Sequence, residues 1–381
     1  MASSWPQPSM GIFLIFADAF DSLGVPQLVR AREQGEEEFK KIASIMFTFA
    51  LLISISMLIL SLSLMQVILK IPVGFSPQAL EATRSSYVLL IPCLAFSFVL
   101  RQLGAVLRSQ RKFTQCFIAE IIMAITNLTA TLTGLLLTKD FRVLAVSNSI
   151  SQGVGTIYML CVSRRFVSIK FYIDENTKKL MSHFLQLSLL YGVFHLYVIV
   201  DRTFASYLGE RAVSALAYGL IVAGIPKNIL RFEDIAMTSL AELGGSTNKL
   251  NFYLKKLALF TWPIVIFFFI IPRVPVRLLF GYGAFSKVDV DLVAIALKFY
   301  ALSIPFMFFW PLIYRVFQIR GKLLGVGLVA IAGVVTNALL NYIFVFYLDM
   351  GIAGICLGTF GSNLVTCGLG YIMLVGGIPK G

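Results

Sequence analysis

Residues Tyr197 to Pro226 read Y-V-I-V-D-R-T-F-A-S-Y-L-G-E-R-A-V-S-A-L-A-Y-G-L-I-V-A-G-I-P. The stretch closes one long apolar run with Asp201 and Arg202, turns through Gly209, Glu210 and Arg211, and opens a second apolar run. A charged side chain within a bilayer is expensive, so this pair is a candidate functional site by default. As sequence neighbours on a helix, the two side chains point about 100° apart and do not face each other. Each needs its own partner or a water.

Working outward, the same apolar texture covers the whole chain. Of 381 residues, 58% are hydrophobic and 13% charged, and the mean hydropathy is +0.86. A soluble protein of this length needs far more polar surface. Recurrent apolar runs are each long enough to cross a hydrocarbon core of about 30 Å. The expected fold is an all-α polytopic membrane protein, since a β-barrel would alternate polar and apolar residues over only about 10 residues per strand. Cys93, Cys116, Cys161, Cys356 and Cys367 all lie in apolar runs without ligand spacing. With only His183 and His195 beside them, neither a metal nor another cofactor is expected.

The runs divide into eleven segments, A 10–28, B 43–65, C 85–107, D 113–137, E 143–163, F 183–205, G 212–241, H 254–272, I 289–313, J 323–347 and K 351–376. Segment A carries Asp18 and Asp21 and reads as a short or broken helix. If the A–B loop is cytoplasmic, that side's loops and the tail hold nineteen Lys and Arg and the other side's eight. The positive-inside rule then puts Met1 outside and Gly381 inside. The net charge of +13 is mostly this orientation signal, and no solvated basic domain exists that would bind nucleic acid. The loop after E, R-R-F-V-S-I-K-F-Y-I-D-E-N-T-K-K-L-M-S, interleaves basic and aromatic residues, as in a strap on an anionic leaflet or a solvated linker. The expected organisation is an N-terminal helical lobe over 1–165, a cytoplasmic linker over 166–182 and a C-terminal helical lobe over 183–381.

An internal repeat relates the lobes at an offset near 213. Tyr87-Val-Leu-Leu-Ile-Pro92 matches Tyr300-Ala-Leu-Ser-Ile-Pro305, and a Phe-Ser precedes each helix, at Phe75-Ser76 and Phe285-Ser286. Asn127 and Asn337 share a repeat position, as do Asp140 and Asp349. Both copies run in the same direction, so two pseudo-symmetric lobes around a central cavity are expected, with substrate near the midplane and alternating access by rocking.

The run Asp201-Arg202-Thr203-Phe204-Ala205-Ser206, followed by Ser214-Ala215-Leu216-Ala217-Tyr218 and Pro226, resembles the MurJ/MviN-type lipid II flippases of the MOP exporter superfamily. Leu279-Phe280-Gly281-Tyr282-Gly283-Ala284-Phe285 is similar to that family's "L-F-x-x-G-A-F", and Phe20 to Pro26 to its "G-A-F-S-x-A-F-V-P". The resemblance implies a multi-pass protein of the bacterial inner membrane and no enzyme. It would pass an undecaprenyl-pyrophosphate-linked peptidoglycan precursor between leaflets as a monomer among membrane lipids, with H+ or Na+ as a possible coupling ion. The family's usual arginines fall here on apolar residues near Ile12, Phe13, Leu220 and Ile221. Its first helix and last two have no counterpart in this sequence. The repeat pairing, which leaves F without a partner, leads to the expectation of a truncated frame or an apolar segment encoded upstream.

Setting loop residues aside leaves Arg101, Arg202, Lys227, Arg231 and Lys298 in or at the edges of spans, with Asp18, Asp21, Glu120, Asp201, Glu233 and Asp234 as acidic counterparts. Lys227 and Arg231 sit where long basic side chains snorkel. Arg202, Asp201, Arg101 and Lys298 are the substrate-binding candidates, to offset the desolvation of an anionic lipid-linked oligosaccharide; an interfacial snorkel or structural ion pair is the alternative. Glu120, Asp18 and Asp21 are the coupling candidates, Glu120 having an interhelical hydrogen bond as its alternative. Competing functions are an O-antigen-type flippase, a MATE-like drug antiporter and a truncated non-functional member. A membrane-embedded glycosyltransferase would need paired carboxylates or a metal motif in a long outer loop, which the sequence lacks.

Overall fold

The computed structural model describes residues 24–25, 27–71, 74–170, 178, 182, 184, 193, 196–230, 240, 244–320 and 322–376. Every regular element among them is helical. Eight helices among the described residues are long and apolar enough to cross a membrane. The chain forms two compact units, one drawing its described residues from Ala2–Ile71 and Ser76–His195, the other from Pro72–Phe75 and Leu196–Gly381. Most of segment A, with Asp18 and Asp21, lies outside the described residues, as does most of F before residue 196.

The N-terminal unit contains α1 (Glu36–Ile68), α2 (Pro77–Ser109), α3 (Phe113–Thr138) and α4 (Val143–Ser163). Ser76 caps α2 by accepting from the Ala79 N–H at 3.2 Å, and Pro77 occupies the first turn, where its missing N–H costs nothing. Helix α4 carries no charged residue but many serines, with Asn148, Gln152 and Thr156, and its neighbours explain why these are tolerated. Ser149 Oγ donates to the Leu89 carbonyl of α2 at 2.7 Å and Thr156 Oγ1 to that of Phe96 at 3.3 Å, while Gly153 admits the Phe96 ring. Small and hydroxyl side chains are the usual means of close helix approach where lipid removes the hydrophobic drive. On α3 only Cys116 and Ala119 are buried, and Phe117, Ile121, Ile125, Leu128 and Leu132 form an exposed apolar stripe suited to lipid.

The C-terminal unit begins with a helical stretch, α5, over 196–207, followed by α6 (Glu210–Leu230), α7 (Thr247–Ile270), α8 (Arg273–Phe280) and α9 (Lys287–Tyr300). A 3₁₀ turn, Ala301–Ser303, leads into α10 (Ile304–Ile319), and α11 (Leu323–Tyr342), a π turn (Ile343–Tyr347) and α12 (Gly351–Val375) complete the unit. The 3₁₀ turn falls where Pro305 dictates: its ring cannot donate to the Ala301 carbonyl and crowds it. Helix α8 corrects the sequence reading, which left residues 273–280 in a loop; Arg273 Nε meets Asp291 Oδ1 of α9 at 2.7 Å.

The repeat has a structural counterpart. Pro77–Ser109 and Lys287–Ile319 are each 33 residues long and follow a capping serine, Ser76 or Ser286, that accepts an N–H three residues on. These ends lie 210 residues apart, so the Tyr-x-x-x-Ile-Pro match at 213 is displaced by nearly one helical turn and keeps its face.

Candidate functional site

Asp201 sits on α5 at 8% exposure, enclosed by α11 and α12. Its Oδ1 accepts from Asn337 Nδ2 at 3.0 Å and Asn341 Nδ2 at 2.8 Å, and its Oδ2 accepts from Thr359 Oγ1 at 2.7 Å. The two amides lie four residues apart and so share one face of α11, where Asn341 Nδ2 also approaches Asn337 Oδ1 at 3.4 Å. Both asparagines are fully buried, and Asn341 Oδ1 has no hydrogen-bond partner among the described residues. The close approach depends on Gly358 of α12, where a Cβ would collide with Asn341 Oδ1. The π turn starts one residue after Tyr342, and such turns recur beside functional sites. Further along the same helices, Ser362 Oγ donates to the Gly333 carbonyl at 2.7 Å and Tyr197 shares a 2.8 Å hydrogen bond with Thr366.

Arg202 turns away from this cluster, as the angular offset of neighbours requires. It is 8% exposed, and its Nη1 donates to the Val213 carbonyl of α6 at 2.8 Å. The sequence-assigned pair therefore has separate partners on separate helices. Lys298, half-buried on α9, places its Nζ over the rings of Phe269 at 4.9 Å and Phe299 at 5.7 Å.

In the N-terminal unit the structure brings together two candidates from different helices. Arg101 of α2 and Glu120 of α3, both exposed, line one cavity of about 190 Å³ with Arg108 and Gln152. Arg101, Gly104 and Arg108 share a face of α2, and the Arg108 guanidinium lies against Gly104, 3.3 Å from where a Cβ would stand. Sequence reasoning missed Asn341 and Thr359 and met Asn337 only as a repeat position. The available signal was the spacing of Asn337 and Asn341 within an otherwise apolar run.

Several solved structures share this fold. An inward-facing multidrug resistance MATE family transporter of the MOP superfamily superposes with a TM-score of 0.84 at 17% identity, over 97% of this chain and 88% of that one. A lipid II flippase MurJ in an inward closed conformation gives 0.81 at 19% identity, over 98% and 82%. A MOP superfamily transporter from Pyrococcus furiosus gives 0.68 at 18% identity, over 100% and 88%. The fold is that of the MOP-superfamily transporters.

The chain belongs to the MurJ family: the family model described as "Lipid II flippase MurJ" matches residues 11–376. A curated relative, the probable lipid II flippase MurJ of Rickettsia prowazekii (strain Madrid E), is 23% identical over 320 residues. The match covers 80% of this chain and 62% of the relative's length.

Proposed function

We propose that this chain is a flippase of the bacterial inner membrane, passing lipid II from the inner to the outer leaflet by alternating access and without covalent change. The observation that carries this reading is the family match over residues 11–376. The test is rescue of a bacterium depleted of its own lipid II flippase. Expression of the full chain is expected to restore growth and cell shape; a chain that inserts at normal level without restoring either would overturn the reading.

The buried Asp201 cluster supports an ion-coupled version of this function. A carboxylate, two amides and a hydroxyl suit a hard monovalent cation, because rotating each amide by 180° exchanges Nδ2 for Oδ1 and turns donors into acceptors. Asn341 Oδ1, buried and without a partner among the described residues, is already such an acceptor. Asp201, Asn337, Asn341 and Thr359 would hold Na+, a transported ion. One carboxylate and one Na+ sum to zero charge, whereas a divalent ion would leave a net charge in apolar surroundings. A proton would need only a single oxygen, so the further oxygens that the rotated amides and the hydroxyl offer favour Na+.

Burial moves Asp201 and Arg202 from substrate contact to ion binding and helix positioning in this proposal. The substrate's phosphate and sugar groups are left to the more accessible Arg101 and Lys298. Glu120 and Arg108 share the Arg101 cavity and set its charge.

A further inference from the structure

At the Arg- and Lys-rich end of the N-terminal unit, cytoplasmic by the charge rule, a second cavity of about 440 Å³ gathers basic groups from separate segments. Arg32 precedes α1, Lys40 lies in its first turns, Lys112 sits between α2 and α3, and Arg165 follows α4. Against these four cations stands one lining carboxylate, Glu36, which Lys40 engages at 2.7 Å.

The floor is built rather than incidental. Phe166 is buried and meets Phe39 edge to face, with ring centroids 5.8 Å apart. Lys112 Nζ and the Arg165 guanidinium lie 4.8 and 4.7 Å from the Phe166 ring centroid. A ring positions a cation without cancelling its charge. Arg32 donates one N–H to the Ser109 carbonyl at 2.6 Å, which holds its guanidinium at the cavity. Beyond Phe166 the chain runs extended along α1, pinned by Ser168 N–H to Ser44 Oγ at 3.1 Å and Lys170 N–H to Thr48 Oγ1 at 3.0 Å.

We propose that this cavity binds a phosphate-bearing headgroup, that of an anionic phospholipid in the cytoplasmic leaflet. Its volume is in the range of small-ligand sites. Convergent Arg and Lys donors match phosphate oxygens, and at a membrane surface each contributes attraction to anionic lipid. The exposed apolar stripe of α3 begins beside Lys112, at Phe113 and Phe117, and gives acyl chains a surface to follow. This assignment does not rest on the lipid II reading.

The test uses the purified full chain in phosphatidylcholine nanodiscs with and without phosphatidylglycerol, none containing lipid II. Retained lipid is counted by native mass spectrometry, and binding of inorganic pyrophosphate is measured in parallel. Wild type should retain phosphatidylglycerol in preference to phosphatidylcholine. The double variant Lys112→Gln, Arg165→Gln should lose that preference about fivefold for each cation removed. Lys139→Gln with Arg142→Gln, at the opposite end of the helices, should keep it. Unchanged retention by a folded Lys112→Gln, Arg165→Gln variant would overturn the site. Pyrophosphate binding in wild type without a phosphatidylglycerol preference would overturn the lipid assignment in favour of a soluble phosphate. If the double variant does not fold, displacement of phosphatidylglycerol from wild type by pyrophosphate decides: displacement supports the site, and its absence overturns it.

Discussion

Asp201→Asn is expected to leave the chain folded and inserted while abolishing Na+-dependent transport. The geometry allows a neutral replacement: its Oδ1 can accept from Asn337 and Asn341, and its Nδ2 can donate to Thr359 Oγ1. The threonine hydroxyl can then turn to the Ile355 carbonyl, already within 3.1 Å. The negative charge alone is removed, and with it the attraction for a cation. Asp201→Ala is the harsher change, because it removes the acceptor of three buried hydrogen bonds. Interhelical hydrogen bonds in membrane proteins contribute about 0.6 kcal/mol each, so the alanine variant should lose about 2 kcal/mol of stability. Thermal unfolding in detergent separates the two effects. Added Na+ should raise the wild-type midpoint by mass action and leave both variants unmoved. An Asp201→Asn chain that transports normally, or that Na+ still stabilises, would remove the ion from this site.

Gly358→Ala is expected to damage the same site from the opposite helix. The added methyl would collide with Asn341 Oδ1 and stand 3.2 Å from the Asn341 backbone nitrogen. Backbone cannot yield as a flexible side-chain tip can, so α12 must move away from α11 and loosen the Asn341–Asp201 contact. Overpacking of this kind costs about 1–3 kcal/mol. Gly368→Ala on the same helix is the matched control, since a Cβ there meets nothing within 4 Å. The expected result is a lowered unfolding midpoint and lost Na+ stabilisation for Gly358→Ala, with neither for Gly368→Ala. Equal behaviour of the two variants would show that helix approach at Gly358 does not support the site.

Much of the fold was legible because lipid forces each span to satisfy its own backbone and to remain apolar over a fixed length. Segments D, E and K match α3, α4 and α12 within a residue at both ends, while C falls within two residues of the end of α2 and starts eight residues after its first. The Phe-Ser pairs marked two equivalent helix starts because serine caps them, an effect local to a few residues. Helix α8 was missed because eight residues carrying Arg273 and Arg277 lack the length and apolarity of a span. The site was half legible. Asp201 stood out because a carboxylate in an apolar run violates the expected pattern, but its partners lie 136, 140 and 158 residues away. Asparagine and threonine are too common in membrane helices to stand out singly, and only the fold brings them to one carboxylate. Arg101 and Glu120 were each noticed alone; their shared cavity follows from how α2 and α3 pack.

Movement of lipid II itself is the decisive observable. The direct measurement reconstitutes the purified full chain into vesicles carrying fluorescent lipid II and follows its exposure to a membrane-impermeant quencher under an imposed Na+ gradient. Vesicles holding wild type should expose inner-leaflet lipid II faster than protein-free vesicles, and vesicles holding Asp201→Asn should match the protein-free rate. Monodisperse, inserted wild type that leaves lipid II at the protein-free rate would contradict the account.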